Sequence, residues 1–474
     1  MGPLLKRWLI LSILGSFFFM VIIDGSIVSI AIPTIARDLS VSTNATTTII
    51  GIYLITISAL LLFFGQLGDQ LGRPFIFEIG TALFLIGSGL AGFGINLPFV
   101  LFGRFVQAVG ASMTMANSYA IVTDTFPPQY LGRALGIEAL FISLGSLAGP
   151  GLGGLILAFL PWGYIFWINV PLGIICLIAE WFIFPRPGKL SRPNVDWLGV
   201  GDLIILAVSF FVASSVIMTH PLWAIIGLII FFVMIAVFVY HERRATRPLL
   251  NLNLLKNSAF TQNVVAALIS FVVGYFFTLL APIYLQIVLK YSSQVSGLLL
   301  MASPIVALVA NPIAGTLTDK FNKQRVMAAG LIILLLAQIG LVLSNGHVEP
   351  IVFIGVSALI AIGTAVFGTP NNTLIMQSVS TADRGMAGSI NSLMREFGLV
   401  LGTTLSTLTF YVHLSFDAGH RTTTAIGQSA ANIIAAQRTA YLFGLLLLAG
   451  AGIIVFNRAR KRTIAKNANL AHQH

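Results

Sequence analysis

The sequence predicts an all-α polytopic membrane protein with fourteen transmembrane helices, and three observations carry that prediction. Of 474 residues, 57% are hydrophobic and 9% charged, whereas an average soluble protein is about 25% charged. The mean hydropathy of +0.95 comes with 45 glycines, the small residues on which helices in lipid rely for close contact. Stretches free of Asp, Glu, Lys and Arg recur at lengths that cross a bilayer, which needs about 20 residues per helix. The single cysteine, Cys176, leaves no internal disulfide and no Cys-based metal cluster.

In chain order these stretches are 8–23, 39–68, 79–103, 105–123, 139–179, 203–240, 257–289, 291–318, 326–348, 350–382, 397–416 and 439–457. The first imitates a secretory signal, with Lys6-Arg7 ahead of an apolar run. No clean small-x-small site follows and Asp24 interrupts it, so an uncleaved span is expected. Two stretches are double length: 139–179 breaks at Leu160-Pro161-Trp162-Gly163, and 203–240 breaks at Thr219-His220-Pro221. Fourteen spans result, and only helices satisfy backbone polar groups in lipid at these lengths. The loop 185–196 is the richest cluster of helix breakers, and a second basic stretch lies at 241–256. The longest outer loop, 413–436, has room for a small hairpin.

An even number of spans puts both termini on one side. With that side cytoplasmic, the outer loops hold only Arg37, Lys290, Arg421 and Arg438, and the hydrophobic segments hold Arg104 and Arg395. Every other basic residue falls in an inner loop or the tail, as the positive-inside rule requires. The net charge of +11 therefore reports topology and needs no nucleic-acid partner; the same loops can touch anionic lipid.

The loop after span 2 reads Gly65-Gln66-Leu67-Gly68-Asp69-Gln70-Leu71-Gly72-Arg73, and the loop after span 10 reads Gly315-Thr316-Leu317-Thr318-Asp319-Lys320-Phe321-Asn322-Lys323. Gly, Leu, Asp and a base recur at the same offsets, 250 residues apart. Six spans account for most of that period and the extra pair, spans 7 and 8, for the rest, which gives a 6 + 2 + 6 plan. The expected organisation is a six-helix bundle at 1–190, two linker helices at 191–245, a second bundle at 246–457 and a basic cytoplasmic tail at 458–474.

Four segments carry a family resemblance. Span 1 has Ile23-Asp24-Gly25-Ser26-Ile27-Val28 ahead of Ala31-Ile32-Pro33; the loop 65–73 is the second; span 4 has Arg104-Phe105-Val106-Gln107-Ala108-Val109-Gly110; span 5 has Gly145-Ser146-Leu147-Ala148-Gly149-Pro150-Gly151-Leu152-Gly153-Gly154. With these the chain resembles the major facilitator superfamily, specifically its fourteen-span drug:proton antiporter branch, although Gly25 stands where that branch usually has Thr or Ser. The last segment resembles the antiporter motif. The resemblance implies export in exchange for protons, and a conformational latch formed by Gly65, Asp69, Arg73 and the repeated Asp319, with Asp69 set against the inner N-terminus of span 13, where a helix dipole favours an anion.

Intramembrane ionisable residues face a bundle interior or wet cavity by default. Asp24 lies about 24 Å along span 1 and Arg104 about 10 Å below the outer end of span 4, at 1.5 Å per residue, so the two can share a level. The bland alternative is an ion pair that only fixes packing. Arg104, Gln107, Ala111, Thr114 and Ser118 form a polar or small stripe on span 4, with Gln107 and Thr114 expected to line a cavity. Burial disfavours a carboxylate and a guanidinium favours it, so hydration that differs between two conformations would move a proton on and off Asp24.

Arg395 and Glu396 fall near the middle of span 13, in a segment resembling the branch's Arg-x-x-Gly. Adjacent positions point about 100° apart, so they are not expected to pair merely with each other. Glu138 enters span 5 on the stripe of Gly145 and Gly149, either facing the inner cavity or snorkelling to the interface. Glu78, Glu180 and Asp202 read as interfacial. Gly145, Gly149 and Gly153 put a smooth groove on one helix face, and Pro150 kinks it.

All seven histidines lie in loops, span edges or the tail, His241-Glu242 lacks the second His of a zinc motif, and no phosphate-binding Gly-x-x-x-x-Gly-Lys-Ser/Thr loop is present. The sequence therefore argues against an intramembrane enzyme and against ATP drive, and implies no cofactor and no metal. Expected partners are a small-molecule substrate, protons and lipid, with the chain acting as a monomer in the cell membrane. The acids suggest cationic substrates and the 35 Phe residues lipophilic ones, although most Phe are expected to face lipid. A porter for a single metabolite, such as an amino acid or natural product, is the competing reading.

Overall fold

A computed structural model describes residues 3–185, 196–217, 220–245, 249–250, 252–346, 348–380 and 384–471. The loop core 186–195, Thr219, Arg247, His347, His472 and His474 lie outside the described residues. The helices are α1 (Pro3–Asp38), α2 (Thr43–Leu71), α3 (Arg73–Gly92), α4 (Leu97–Thr125), α5 (Pro128–Phe159), α6 (Tyr164–Trp167), α7 (Asn169–Ile183), α8 (Trp197–Val216), α9 (Pro221–Glu242), α10 (Ser258–Ile283), α11 (Ser293–Leu300), α12 (Ala302–Lys320), α13 (Lys323–Val342), α14 (Pro350–Gln377), α15 (Arg384–Asp417) and α16 (Ala430–Ala471). Among the described residues fourteen helical runs are long and apolar enough to cross a membrane; α6 with α7, and α11 with α12, each make one run.

Both expected breaks are present, at 160–163 and before Pro221. Two boundaries differ. α1 continues fourteen residues beyond Asp24, because a charge paired inside a bundle does not end a helix. The stretch 79–103 is not one span: α3 ends at Gly92 and α4 begins at Leu97. Gly94 takes φ +61, a conformation open to glycine, and Asn96 caps α4 by accepting the Phe99 N–H at 2.9 Å. This turn carries no charge, so a charge-free criterion runs through it. The loop after α15 forms a compact turn, with Ser415 Oγ donating to Thr422 O at 3.0 Å.

The chain divides into two compact units. The first comprises Met1–Leu250, Ala281–Met301 and Leu414–Ile433. Within it α3 and α4 approach until a Cβ on Gly80 would meet Gly110 O at 2.8 Å. Phe17 of α1 packs edge-on against Phe77 and Phe84 of α3, at 5.3 and 5.2 Å. The linker pair α8–α9 belongs to this unit: Gly51 of α2 faces Phe211 of α8, and Phe63 meets Trp197 at 5.6 Å. At the far ends of this pair His241 Nδ1 lies 3.1 Å from Asp202, and Glu242 accepts the Leu249 and Leu250 N–H groups. The 414–433 turn docks on the start of α2, with Asn44 N–H donating to Thr423 O at 3.0 Å and Ala425 N–H to Thr43 Oγ1 at 2.9 Å.

The second unit comprises Asn251–Leu280, Ala302–His413 and Ile434–His474, around a core that includes Ala266, Val273, Met327, Leu331, Phe367 and Leu448. Its seams repeat those of the first. Gly330 of α13 stands 250 residues after Gly80 and abuts Phe367 of α14. Gly398 and Gly402 of α15 stand 253 residues after Gly145 and Gly149 and abut Phe271, Val272 and Tyr275 of α10. Phe residues fill both interiors. Phe17, Phe77, Phe84, Phe166, Phe260, Phe276, Phe367 and Phe410 are among the largest fully buried side chains, so this set is core and not the lipid-facing surface expected for most Phe.

Candidate functional site

Asp24 and Arg104 meet as expected, at 0% and 1% exposure. Asp24 sits on α1, with Oδ2 paired to Arg104 Nη1 and Oδ1 accepting from Gln107 Nε2 at 2.8 Å and Asn169 Nδ2 at 3.0 Å. Arg104 also donates to Gln107 Oε1 at 2.6 Å and to the Ile49 carbonyl at 3.3 Å, and its guanidinium lies 3.9 Å from the Tyr53 ring centroid. Gln107 reaches Ser88 Oγ at 2.7 Å. Side chains from α1, α3, α4 and α7 thus close one network, with α2 supplying a carbonyl and a ring. It satisfies a charge pair that would be costly to bury unaided.

Ser88, Asn169 and Tyr53 were not singled out by sequence. A lone Ser, Asn or Tyr in an apolar run gives no signal until its neighbouring helix is known. Three donors, one of them cationic, hold Asp24. The stripe on α4 is buried throughout. Thr114 is 1% exposed, its hydroxyl donating to Ala111 O of its own helix at 2.8 Å and its methyl packing toward Gly80. Gln107 belongs to the ion-pair network.

Glu138 does not snorkel. It is 0% exposed, and its Oε1 accepts from Ser118 Oγ at 2.8 Å. Glu180, three residues from the end of α7, is buried too: it is 1% exposed and accepts from Thr81 Oγ1 of α3 at 2.9 Å. For both acids the second oxygen, Oε2, is buried with no hydrogen-bond partner among the described residues.

Arg395 and Glu396 do pair, at 2.6 Å, contrary to the expectation from their 100° separation. Their side chains are long enough to curl back around α15. Asp69 accepts from Arg73 Nε at 2.8 Å, and Arg73 Nη1 reaches Asp124 at 2.6 Å, which ties the α2–α3 turn to the end of α4. The expected dock for Asp69 at the start of span 13 adjoins 381–383, outside the described residues. A Cβ on Gly65 would meet Ala116 at 4.0 Å, and Asp319 is exposed at the end of α12, the position of Asp69 on α2.

The glycine-rich segment of α5 is a two-sided seam. A Cβ on Gly145 would meet Phe19 O at 2.9 Å, one on Gly153 would meet Ile27 at 2.7 Å, and one on Gly149 would overlap Ser26, all on α1. On the other side Gly154 abuts Ser293 O at 2.7 Å, and the Pro150 carbonyl faces Gly297 of α11. Among the described residues no group of three or more His, Cys, Asp or Glu is placed to hold a metal.

The sequence matches the Major Facilitator Superfamily over residues 14–403 and again over 264–468. It is 28% identical over 453 residues to the riboflavin transporter RibZ of Clostridioides difficile (strain 630), covering 95% of this chain and 97% of that one. It is also 28% identical to the multidrug resistance protein Stp of Mycobacterium tuberculosis (strain CDC 1551 / Oshkosh), covering 82% of this chain and 73% of that one. The fold resembles a bacterial homologue of the human lysosomal transporter Spinster, solved inward-facing and unoccupied, with TM-score 0.69 and 15% identity over 96% of this chain and 97% of that one.

Proposed function

Because the chain belongs to the Major Facilitator Superfamily, and is thus a multi-pass membrane transporter, we propose that it is a proton-coupled antiporter exporting lipophilic small molecules by alternating access. The observation that carries this reading is the buried Asp24–Arg104–Gln107–Asn169 network. A protonated Asp24 no longer holds Arg104 by charge, so proton binding loosens α1 from α4 and makes the pair a coupling element. The cytoplasmic face is the one carrying both termini, as the basic inner loops argue. The bundles at 1–190 and 246–457 rock against each other, the α5 glycine seam is the hinge, and Asp69 with Arg73 latches one end state. The protein acts in the cell membrane as a monomer.

A second reading is a porter dedicated to one metabolite. It is favoured by the pairing of Asp24 with Arg104 and by the near full-length similarity to a riboflavin transporter. The test is substrate-induced proton release from purified protein across cationic, zwitterionic and neutral compounds, with ethidium and riboflavin among them. Several lipophilic responders support multidrug export, and a response to one metabolite alone supports the dedicated porter. Full proton-driven export by Asp24→Asn would remove Asp24 from the coupling mechanism.

A further inference from the structure

The first unit buries two carboxyl groups on the same face of α4 in opposite states of satisfaction. Asp24 receives hydrogen bonds from a guanidinium and two amides. Glu138 receives one, from the Ser118 hydroxyl, while Oε2 is buried without a partner among the described residues. A carboxylate is an acceptor only, with room for about four hydrogen bonds. With one neutral donor and an unpartnered Oε2 among the described residues its charge is poorly compensated, and a bound proton removes that charge.

Two placements bear on what such a proton would do. Ser118 stands fourteen residues along the α4 stripe from Arg104, roughly 21 Å at 1.5 Å per residue, so one helix reads both carboxyls. Glu138 lies two turns before Gly145, which packs α5 onto α1, the helix of Asp24. The internal repeat adds an independent observation. At the equivalent α14–α15 seam Asn391 Nδ2 donates to Asn372 Oδ1 at 3.2 Å, so a neutral amide occupies the place of Glu138, 253 residues on. Glu180 shares the half-satisfied arrangement, but its partner is Thr81 of α3, away from the α4 stripe.

We propose that Glu138 is a second proton-carrying residue of the transport cycle, holding its proton in the conformation in which Arg104 pairs with Asp24; its place in a cycle rests on the proton-coupled reading above. Full-length purified protein decides it with two measurements. Infrared difference spectra on pH change, without any ligand, show a protonated-carboxyl C=O band at neutral pH that is absent in Glu138→Gln, shifted in Ser118→Ala and retained in Glu180→Gln. In liposomes, Glu138→Gln loses ethidium transport driven by an imposed proton gradient by on the order of tenfold or more, while ethidium–ethidium exchange persists.

A band unchanged in Glu138→Gln and Ser118→Ala overturns the proposal, as does wild-type gradient-driven transport by Glu138→Gln. If the wild-type protein moves no ethidium against a proton gradient, the drug-antiport reading fails separately. The infrared band needs no substrate and still reports whether Glu138 holds a proton.

Discussion

The two internal repeats share their helix seams and differ in what they bury. Gly80, Gly145 and Gly149 in the first recur as Gly330, Gly398 and Gly402 in the second, at the same kinds of close approach. The ionisable groups do not recur. The first bundle buries Asp24, Arg104, Glu138 and Glu180, whereas the second, among the described residues, buries Glu396 together with the neutral amides Asn263, Gln338 and Asn371. Position 274, the counterpart of Asp24 at the 250-residue period, is a glycine. The repeats share the contacts that let helices approach, and differ in the ionisable groups they bury.

The largest expected effect breaks the charged side of this comparison. Arg104→Ala leaves Asp24 buried without its cation and should cost about 3–5 kcal/mol, read as a lowered Tm in detergent together with loss of transport. Asp24→Asn combined with Arg104→Gln should recover much of the stability without recovering proton-driven transport. An unchanged Tm in Arg104→Ala would erase the contrast between the bundles. Next come the shared seams: Gly149→Val against Ser26, and Gly402→Val against Val272 O and Tyr275, should each cost about 1–3 kcal/mol by overpacking. Similar losses would support equivalence of the seams, and a loss confined to Gly149→Val would make the second seam slack.

A smaller effect separates the repeated loops. Asp69→Asn frees one arm of Arg73 and should slow turnover measurably in a transport assay, while Asp319→Asn, at an exposed helix end, should leave it close to wild type. Smallest is the stability change in Glu138→Gln, within about 1 kcal/mol by thermal unfolding, because an amide keeps the Ser118 hydrogen bond and carries no charge.

Much of this architecture was legible in the sequence because lipid imposes blunt rules. Charge-free stretches gave the span count, and the breaks at 160–163 and before Pro221 were visible as Pro with Gly or His. The rules failed where a charge is paired or a turn is apolar: α1 runs on past Asp24, and Phe93-Gly94-Ile95-Asn96 hides between α3 and α4. Asp24 and Arg104 stood out as charges at matching depth, and geometry then added Ser88 and Asn169, which single-helix reasoning has no means to select. The burial of Glu180 was not legible, because nearness to a helix end does not say which way a side chain points. The Arg395–Glu396 pair was missed because direction at Cβ does not limit the reach of long side chains.

Cys176, the one thiol in the chain, is 4% exposed on α7. A buried structural thiol is inert toward polar maleimides, so the native protein already serves as a silent background for site-specific labelling. Cysteines introduced in pairs at exposed helix ends can carry spectroscopic dyes without first replacing Cys176, and changes in their separation during transport would test the proposed alternating access directly.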